Sequence, residues 1–251
     1  MNKIKILTTL AVPFFLCSTA FGQQMPAGNI TWSANCSLSD GVTMTEAVEW
    51  ARGRPRGEST PNAVFFRQAL VGSSNFSENY DFRVVTYYPS YSDYVERMQM
   101  TPTREEQRAN DRRSNYFDCN PASRSMQRVR TVPNTGGDTL GTTLMATRFC
   151  RLEEGRNTSD AWQFAVGIAE GFRRGGDTSL MQMVTRSFGP VENRIGSAVT
   201  LVEVPSTPES FAARFDMARE GLNPAEGVDY PFAMCNFPAM WRTYAIYQAP
   251  Q

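Results

Sequence analysis

The sequence predicts an α+β fold made of two tandem β-α-β-β-α-β units. Three observations carry this prediction. Landmark residues recur in the same order at nearly the same spacing, the hydrophobic period switches between two and about 3.6 within each copy, and four cysteines occupy equivalent places.

The duplication shows when Cys36 is set against Cys150. The run from Cys36 through Leu38, Asp40, Gly41, Thr45, Glu46 and Ala47 then lies over Cys150, Leu152, Glu154, Gly155, Ser159, Asp160 and Ala161. Further on, Pro89-Ser90 matches Pro205-Ser206, and Cys119-Asn120 matches Cys235-Asn236. The Pro-to-Cys spacing is 30 residues in both copies, and the Cys-to-Pro spacings are 53 and 55.

Each element follows from local chemistry. Asn29 to Ser37 and Thr142 to Arg151 alternate apolar and polar residues, as half-buried strands do. Gly41 and Gly155 mark the following turns. Thr43 with Glu46, and Asn157 with Asp160, predict capping boxes that start a helix. Ala47, Val48, Trp50 and Ala51 continue it in the first copy; Ala161, Phe164, Ala165, Ile168 and Phe172 form the helical stripe in the second. Second strands are predicted at Ala63 to Val71 and Ser179 to Phe188, and third strands at Asp81 to Tyr88 and Ile195 to Val204. Ser90 and Thr207 are predicted caps of a second helix, marked by Tyr94, Val95 and Met98 or by Phe211, Ala212 and Phe215, with Pro208 fitting its first turn. After a long polar segment come the last strands, Met126 to Val132 and Trp241 to Tyr247. This order is the split βαβ arrangement called ferredoxin-like. The predicted organisation is a leader at residues 1–22, one repeat at 23–133, a linker at 134–141 that begins in the Pro133-to-Gly137 turn sequence, and a second repeat at 142–251.

The leader prediction rests on Lys3 and Lys5, the apolar stretch Ile6 to Leu16, and an Ala20-Phe21-Gly22 cleavage pattern. The apolar run is too short to span a bilayer comfortably, so cleavage leaves no stable membrane insertion. The predicted location is the periplasm or the extracellular space. Removing residues 1–22 takes both lysines and leaves 23 arginines against 25 carboxylates, a net charge of −2. With no histidine there is no Ser-His or Cys-His nucleophile pair, no His-ligated metal or haem, and no imidazole pH switch. No phosphate-binding loop, nucleotide fingerprint or metal-ligand cluster stands out, and no cofactor is predicted. The patch Arg124, Arg128 and Arg130 does not make a nucleic-acid footprint in an acidic chain, and Arg104 to Arg113, interleaved with Glu105, Glu106 and Asp111, reads as a solvated charged helix or loop. Met181 and Met183 alternate in a strand and read as core. Asn29, Asn35, Asn75 and Asn157 begin glycosylation sequons.

Four cysteines in an exported chain predict two disulfides. In a ferredoxin-like sheet the last strand lies antiparallel beside the first, so the end of one meets the start of the other. Topology and duplication together select Cys36–Cys119 and Cys150–Cys235 from three connectivities.

Two such units in one chain can pack their open sheet faces together and enclose a cavity. By element order and repeat landmarks the chain resembles the dimeric α/β-barrel superfamily, fused in tandem as a pseudo-dimer, although no signature motif of that superfamily is present. The resemblance implies a small-molecule ligand or a partner in the cleft between the repeats. Its alternative is a cofactor-independent monooxygenase, cyclase or isomerase acting on a small organic substrate. The haem-using members ligate iron through histidine, which this chain lacks.

Alternation places Arg83, Val85 and Tyr87 on one face of the third strand, and the matched alignment sets Tyr87 over Glu203, which shares its face with Val199 and Leu201. As a catalytic pair, Glu203 is the predicted base and Tyr87 the donor to an oxygen, with an arginine holding an anion. Trp32, Arg83 and Arg148 are the predicted ligand-binding side chains. The competing reading makes all of them solvent-facing or ordinary barrel residues.

Overall fold

The computed structural model describes residues 24–72, 80–136, 142–177, 179–189, 198–204 and 207–249. The predicted leader, the Asn75 sequon, the Pro205-Ser206 landmark and the start of the strand predicted at Ile195 lie outside them.

Ten strands and five α-helices occur among the described residues. The N-terminal half runs β1 (Asn29–Leu38), α1 (Met44–Arg52), β2 (Ala63–Val71), β3 (Phe82–Tyr88), α2 (Tyr91–Gln99), α3 (Arg104–Asp111), β4 (Phe117–Cys119) and β5 (Ser125–Thr131). The C-terminal half runs β6 (Thr142–Leu152), α4 (Thr158–Arg174), β7 (Leu180–Phe188), β8 (Ala198–Val204), α5 (Pro208–Arg219), β9 (Phe232–Cys235) and β10 (Ala239–Gln248). The strands pair in the order β10-β2-β3-β1-β5-β7-β8-β6, and β6 returns to β10. The result is a closed, eight-stranded antiparallel barrel. Within it the first half contributes β5-β1-β3-β2 and the second β10-β6-β8-β7. The halves join through β5–β7 and β10–β2.

The helix starts obey their sequence signals. Thr43–Glu46, Asn157–Asp160 and Thr103–Glu106 all form reciprocal capping boxes, which satisfy amide donors that an opening turn leaves bare. The third box belongs to α3, a helix inside the segment read as charged helix or loop. The two short strands β4 and β9 were hidden in polar segments. They pair with β1 and β6 and set Cys36 opposite Cys119 and Cys150 opposite Cys235. Both disulfides form as the topology requires.

Among the described residues, three apolar clusters hold the fold. On the outer face of the N-terminal sheet, α1 packs Met44, Ala47, Val48 and Ala51 against Phe66, Phe82 and Phe117. On the outer face of the C-terminal sheet, α4 packs Trp162, Phe164, Ala165 and Ile168 against Met181, Met183, Val199 and Leu201. Inside the barrel, Val129, Met145, Val184, Val202, Val204 and Trp241 meet. Helix α2 departs from its predicted stripe: it has no buried residue, and Val95 and Met98 are exposed.

The loop at residues 220–228 lies against α4 at Gly167 and Gly171. A Cβ at Gly171 would run into the Pro224 backbone, whereas one at Gly167 would meet only the Val228 side chain, at 2.8 Å. Alanine in a helix interior ordinarily gains about 1 kcal/mol over glycine. Overpacking against fixed backbone costs about 1–3 kcal/mol and outweighs that gain. Urea denaturation should therefore show Gly171→Ala destabilised and Gly167→Ala much closer to the parent.

Candidate functional site

The register decides where each predicted site residue points. Cys36 pairs with Phe82 and Cys150 with Val199, so the third strands correspond at an offset of 117, one more than the Pro-Ser landmarks suggest. Thr86, not Tyr87, is the counterpart of Glu203. A one-residue slip moves a side chain to the opposite face of a strand. Tyr87 accordingly faces the barrel interior and Glu203 the outer, helix-covered layer.

Arg83, Val85 and Tyr87 lie on the inner wall. There Arg67 donates to the Tyr87 hydroxyl at 2.8 Å, and Arg83 donates through Nε to Asn35 Oδ1, also at 2.8 Å. The Trp241 ring centroid lies 5.8 Å from the Arg83 guanidinium carbon. Asn35 is 5% exposed, so burial keeps the amide of its sequon away from solvent. Glu203 is instead engaged by Arg214 of α5, whose Nε lies 2.9 Å from its Oε2. The same guanidinium pairs with Asp177 and sits over the Phe172 ring. Tyr87 and Glu203 are therefore not brought together. Arg148 is exposed on the outer face of β6.

Trp32 leads to a different place. It lies on the outer face of β1 and lines a cavity of about 270 Å³ between the N-terminal sheet, α1, α3 and the loop at residues 53–61. The floor is Val64, Phe66, Val84, Thr86 and Ile246, and the wall includes Trp50 and Phe117. The cavity exists because α1 is short. Met44–Arg52 ends at Gly53, and Pro55 removes an amide donor and cannot continue the turn. At the corresponding place in the other half α4 runs on to Arg174, and its Ile168 and Ala169 fill the space, each under 10% exposed.

The loop that roofs the cavity is tied at both ends. Arg97 of α2 pairs with Asp93 at 2.9 Å, donates to Asn62 Oδ1 at 3.0 Å, and reaches the Thr60 carbonyl. From α3, buried Glu106 accepts from the Thr103 amide at 2.7 Å and from the Ser59 hydroxyl at 3.2 Å. The Thr103 amide is foremost among the groups that hold its carboxyl below the usual carboxylate range, and burial opposes it. Gly57 is necessary for this approach, since a Cβ there would stand 2.6 Å from Glu106 Oε1.

Around that roof the charge is positive. Arg54, Arg56, Arg113 and Arg124 all line the cavity. Arg54 donates to Asn110 Oδ1 and lies 5.3 Å from the Trp50 ring centroid, while its buried Nε has no hydrogen-bond partner. Burial lowers its pKa; Arg56 and Arg113 push the same way and Glu106 opposes them. Arg56 donates to the Ala51 carbonyl at 2.6 Å and covers the Tyr247 ring. Arg124 lies over Trp32, 5.8 Å from its centroid. None of these four arginines takes part in an ion pair among the described residues. No group of three or more metal-ligating side chains occurs among the described residues, and no helix there is long and apolar enough to cross a membrane.

The sequence marks Trp32 for a different cavity and does not mark Trp50, Arg54, Arg56 or Glu106. The available signal was Gly53-Arg54-Pro55, which breaks the first helix where its counterpart carries an apolar stripe.

No family model and no curated protein matches the sequence. Among solved structures, the chain is similar to a candidate monooxygenase from Fusobacterium nucleatum at 11% identity and TM-score 0.48, over 89% of this chain and 94% of that one. It is also similar to a second candidate monooxygenase, from Lactobacillus acidophilus, at 8% identity and TM-score 0.47, over 89% and 97% of the chains. An anthrone oxidase-like protein aligns at 9% identity and TM-score 0.45, over 92% and 98%.

Proposed function

We propose that this chain is an exported, disulfide-stapled protein of two ferredoxin-like repeats, residues 23–133 and 142–251, that binds one small organic molecule beneath α1 and α3. The observation that carries the reading is the asymmetry of the two halves. The second fills the corresponding space with Ile168 and Ala169 of the longer α4, and the first leaves an aromatic-floored cavity of about 270 Å³ there. That volume lies near the lower end for small-molecule sites, and apolar lining with a few convergent polar groups is their usual make-up. The order of strands in each half supports the repeat reading, and the tripartite leader supports export. The proposed site lies within the first half, whereas the sequence predicts one in the cleft between the repeats.

The polar groups of the cavity favour binding over proton transfer. Glu106 spends its oxygens on Thr103 and Ser59, and Glu203, which lies outside the cavity, is spent on Arg214. A general base needs a free carboxylate within reach of the substrate proton.

Native mass spectrometry of the exported chain, with its disulfides intact, should show one retained small molecule per chain. Thr86→Trp fills the cavity from its floor and Ser59→Trp from its roof, and either variant, once shown to melt cooperatively, should lose the adduct. An adduct that survives both substitutions places the ligand elsewhere and ends this reading.

A further inference from the structure

Building on the cavity reading, we propose that its ligand is a small planar aromatic carboxylate, with Arg54 gripping the carboxylate and Trp32 and Trp50 flanking the ring. The charge balance points to an anion. Four arginines line the space, and its carboxylate, Glu106, is already consumed by the α3 capping box and the Ser59 hydroxyl. Arg54 carries the contact to the anion. Its guanidinium packs against Trp50, one nitrogen is used by Asn110, and Nε is buried without a partner. A guanidinium presents a planar fork of donors matched to a carboxylate's two oxygens. Supplying those oxygens would satisfy the orphaned donor and offset the mutual repulsion with Arg56 and Arg113.

The apolar part selects the rest of the molecule. Trp50 is stacked on Tyr116 with centroids 4.9 Å apart and planes 19° from parallel, so its ring is held rigidly. Trp32, Phe66 and Phe117 add three more aromatic surfaces around the same space. Flat rings prefer such surroundings, in offset-stacked or edge-to-face contact. Arg113 and Arg124 line the same cavity and are exposed, which adds positive potential and guides an anion inward.

Calorimetric titration of the full exported chain with 2-naphthoate, its uncharged amide 2-naphthamide, and inorganic phosphate tests the assignment. Naphthoate should bind once per chain, and the amide about tenfold or more weaker, the loss expected for one charge-assisted contact. Arg54→Gln should remove that preference, weakening naphthoate by about tenfold while moving the amide by less than about twofold. Equal binding of acid and amide to the parent protein would overturn the carboxylate. In that case loss of both in Thr86→Trp would keep the cavity reading intact. Naphthoate binding that persists in a folded Thr86→Trp variant would overturn the cavity itself. Phosphate that competes as well as naphthoate would show a simple anion site and remove the aromatic requirement. No binding of either naphthyl probe at millimolar concentration would overturn the ligand class.

Discussion

Replacing Cys150 and Cys235 together by alanine should lower the unfolding free energy by about 4 kcal/mol, and the Cys36/Cys119 pair by a similar amount. The magnitude comes from chain entropy. Each bridge joins residues 83 or 85 positions apart, so the open chain recovers the freedom of a long loop when the bond is lost. Alanine is the better probe than serine, because Cys36 and Cys150 are about 1% exposed or less and a hydroxyl there would need a partner. The bridged residues already face each other in β1–β4 and β6–β9, so each bridge constrains the unfolded chain more than it shapes the folded one. Domains of this kind are typically stable by only about 5–15 kcal/mol. Removal of both bridges should therefore leave the chain largely unfolded at 37 °C. Urea titrations of the two double variants, and of the parent under reductant, measure the effect. A loss below about 1 kcal/mol in both variants would show that the short strands β4 and β9 hold these ends without covalent help.

The cysteine pairing was legible because it needed only coarse topology. Strand one and strand four are neighbours whichever way a register slips by one. The site demanded more. Tyr87 and Glu203 were matched through Pro89-Ser90 and Pro205-Ser206, at an offset of 116, whereas the ladders put Phe82 over Val199. One residue is negligible for topology and decisive for facing, since side chains alternate with a period of two. Burial also defeated simple periodicity in the second helices. The apolar residues Val95 and Met98 of α2 are exposed, while in both halves an arginine is the anchoring side chain. Arg97 and Arg214 stand 117 residues apart, the offset of the third strands, and both reach back to the loop before the second strand. One takes Thr60 and Asn62, the other Asp177. A lone arginine on a polar helix reads as solvated until its partners are known, and those partners are 35 to 37 residues away in sequence.

That second arginine carries the other large effect. Arg214 is 2% exposed, and its two carboxylate partners, Asp177 and Glu203, are 7% and 19% exposed. Arg214→Met keeps most of the apolar contact with Phe172 but removes the charge and leaves two carboxylates in the same enclosed space. Breaking a buried ion pair from one side typically costs about 3–5 kcal/mol, because the remaining charge keeps its desolvation penalty. Replacing all three partners, Arg214→Met with Asp177→Asn and Glu203→Gln, removes that penalty and should recover most of the loss. The pH dependence separates electrostatics from packing. Burial by itself would raise the Asp177 carboxyl, but the Ser179 hydroxyl and amide together with the Arg214 guanidinium prevail and hold it below its usual range. A carboxyl with a lowered folded value stabilises the fold above its unfolded value near 3.9, and this contribution fades as pH falls through the folded value. In Arg214→Met the cation is gone, burial weighs more heavily, and the carboxyl takes up its proton at higher pH. The deficit of Arg214→Met against the parent should thus be greatest near pH 7 and narrow towards pH 4. A deficit that stays constant over that range would assign the role of Arg214 to packing on Phe172 alone.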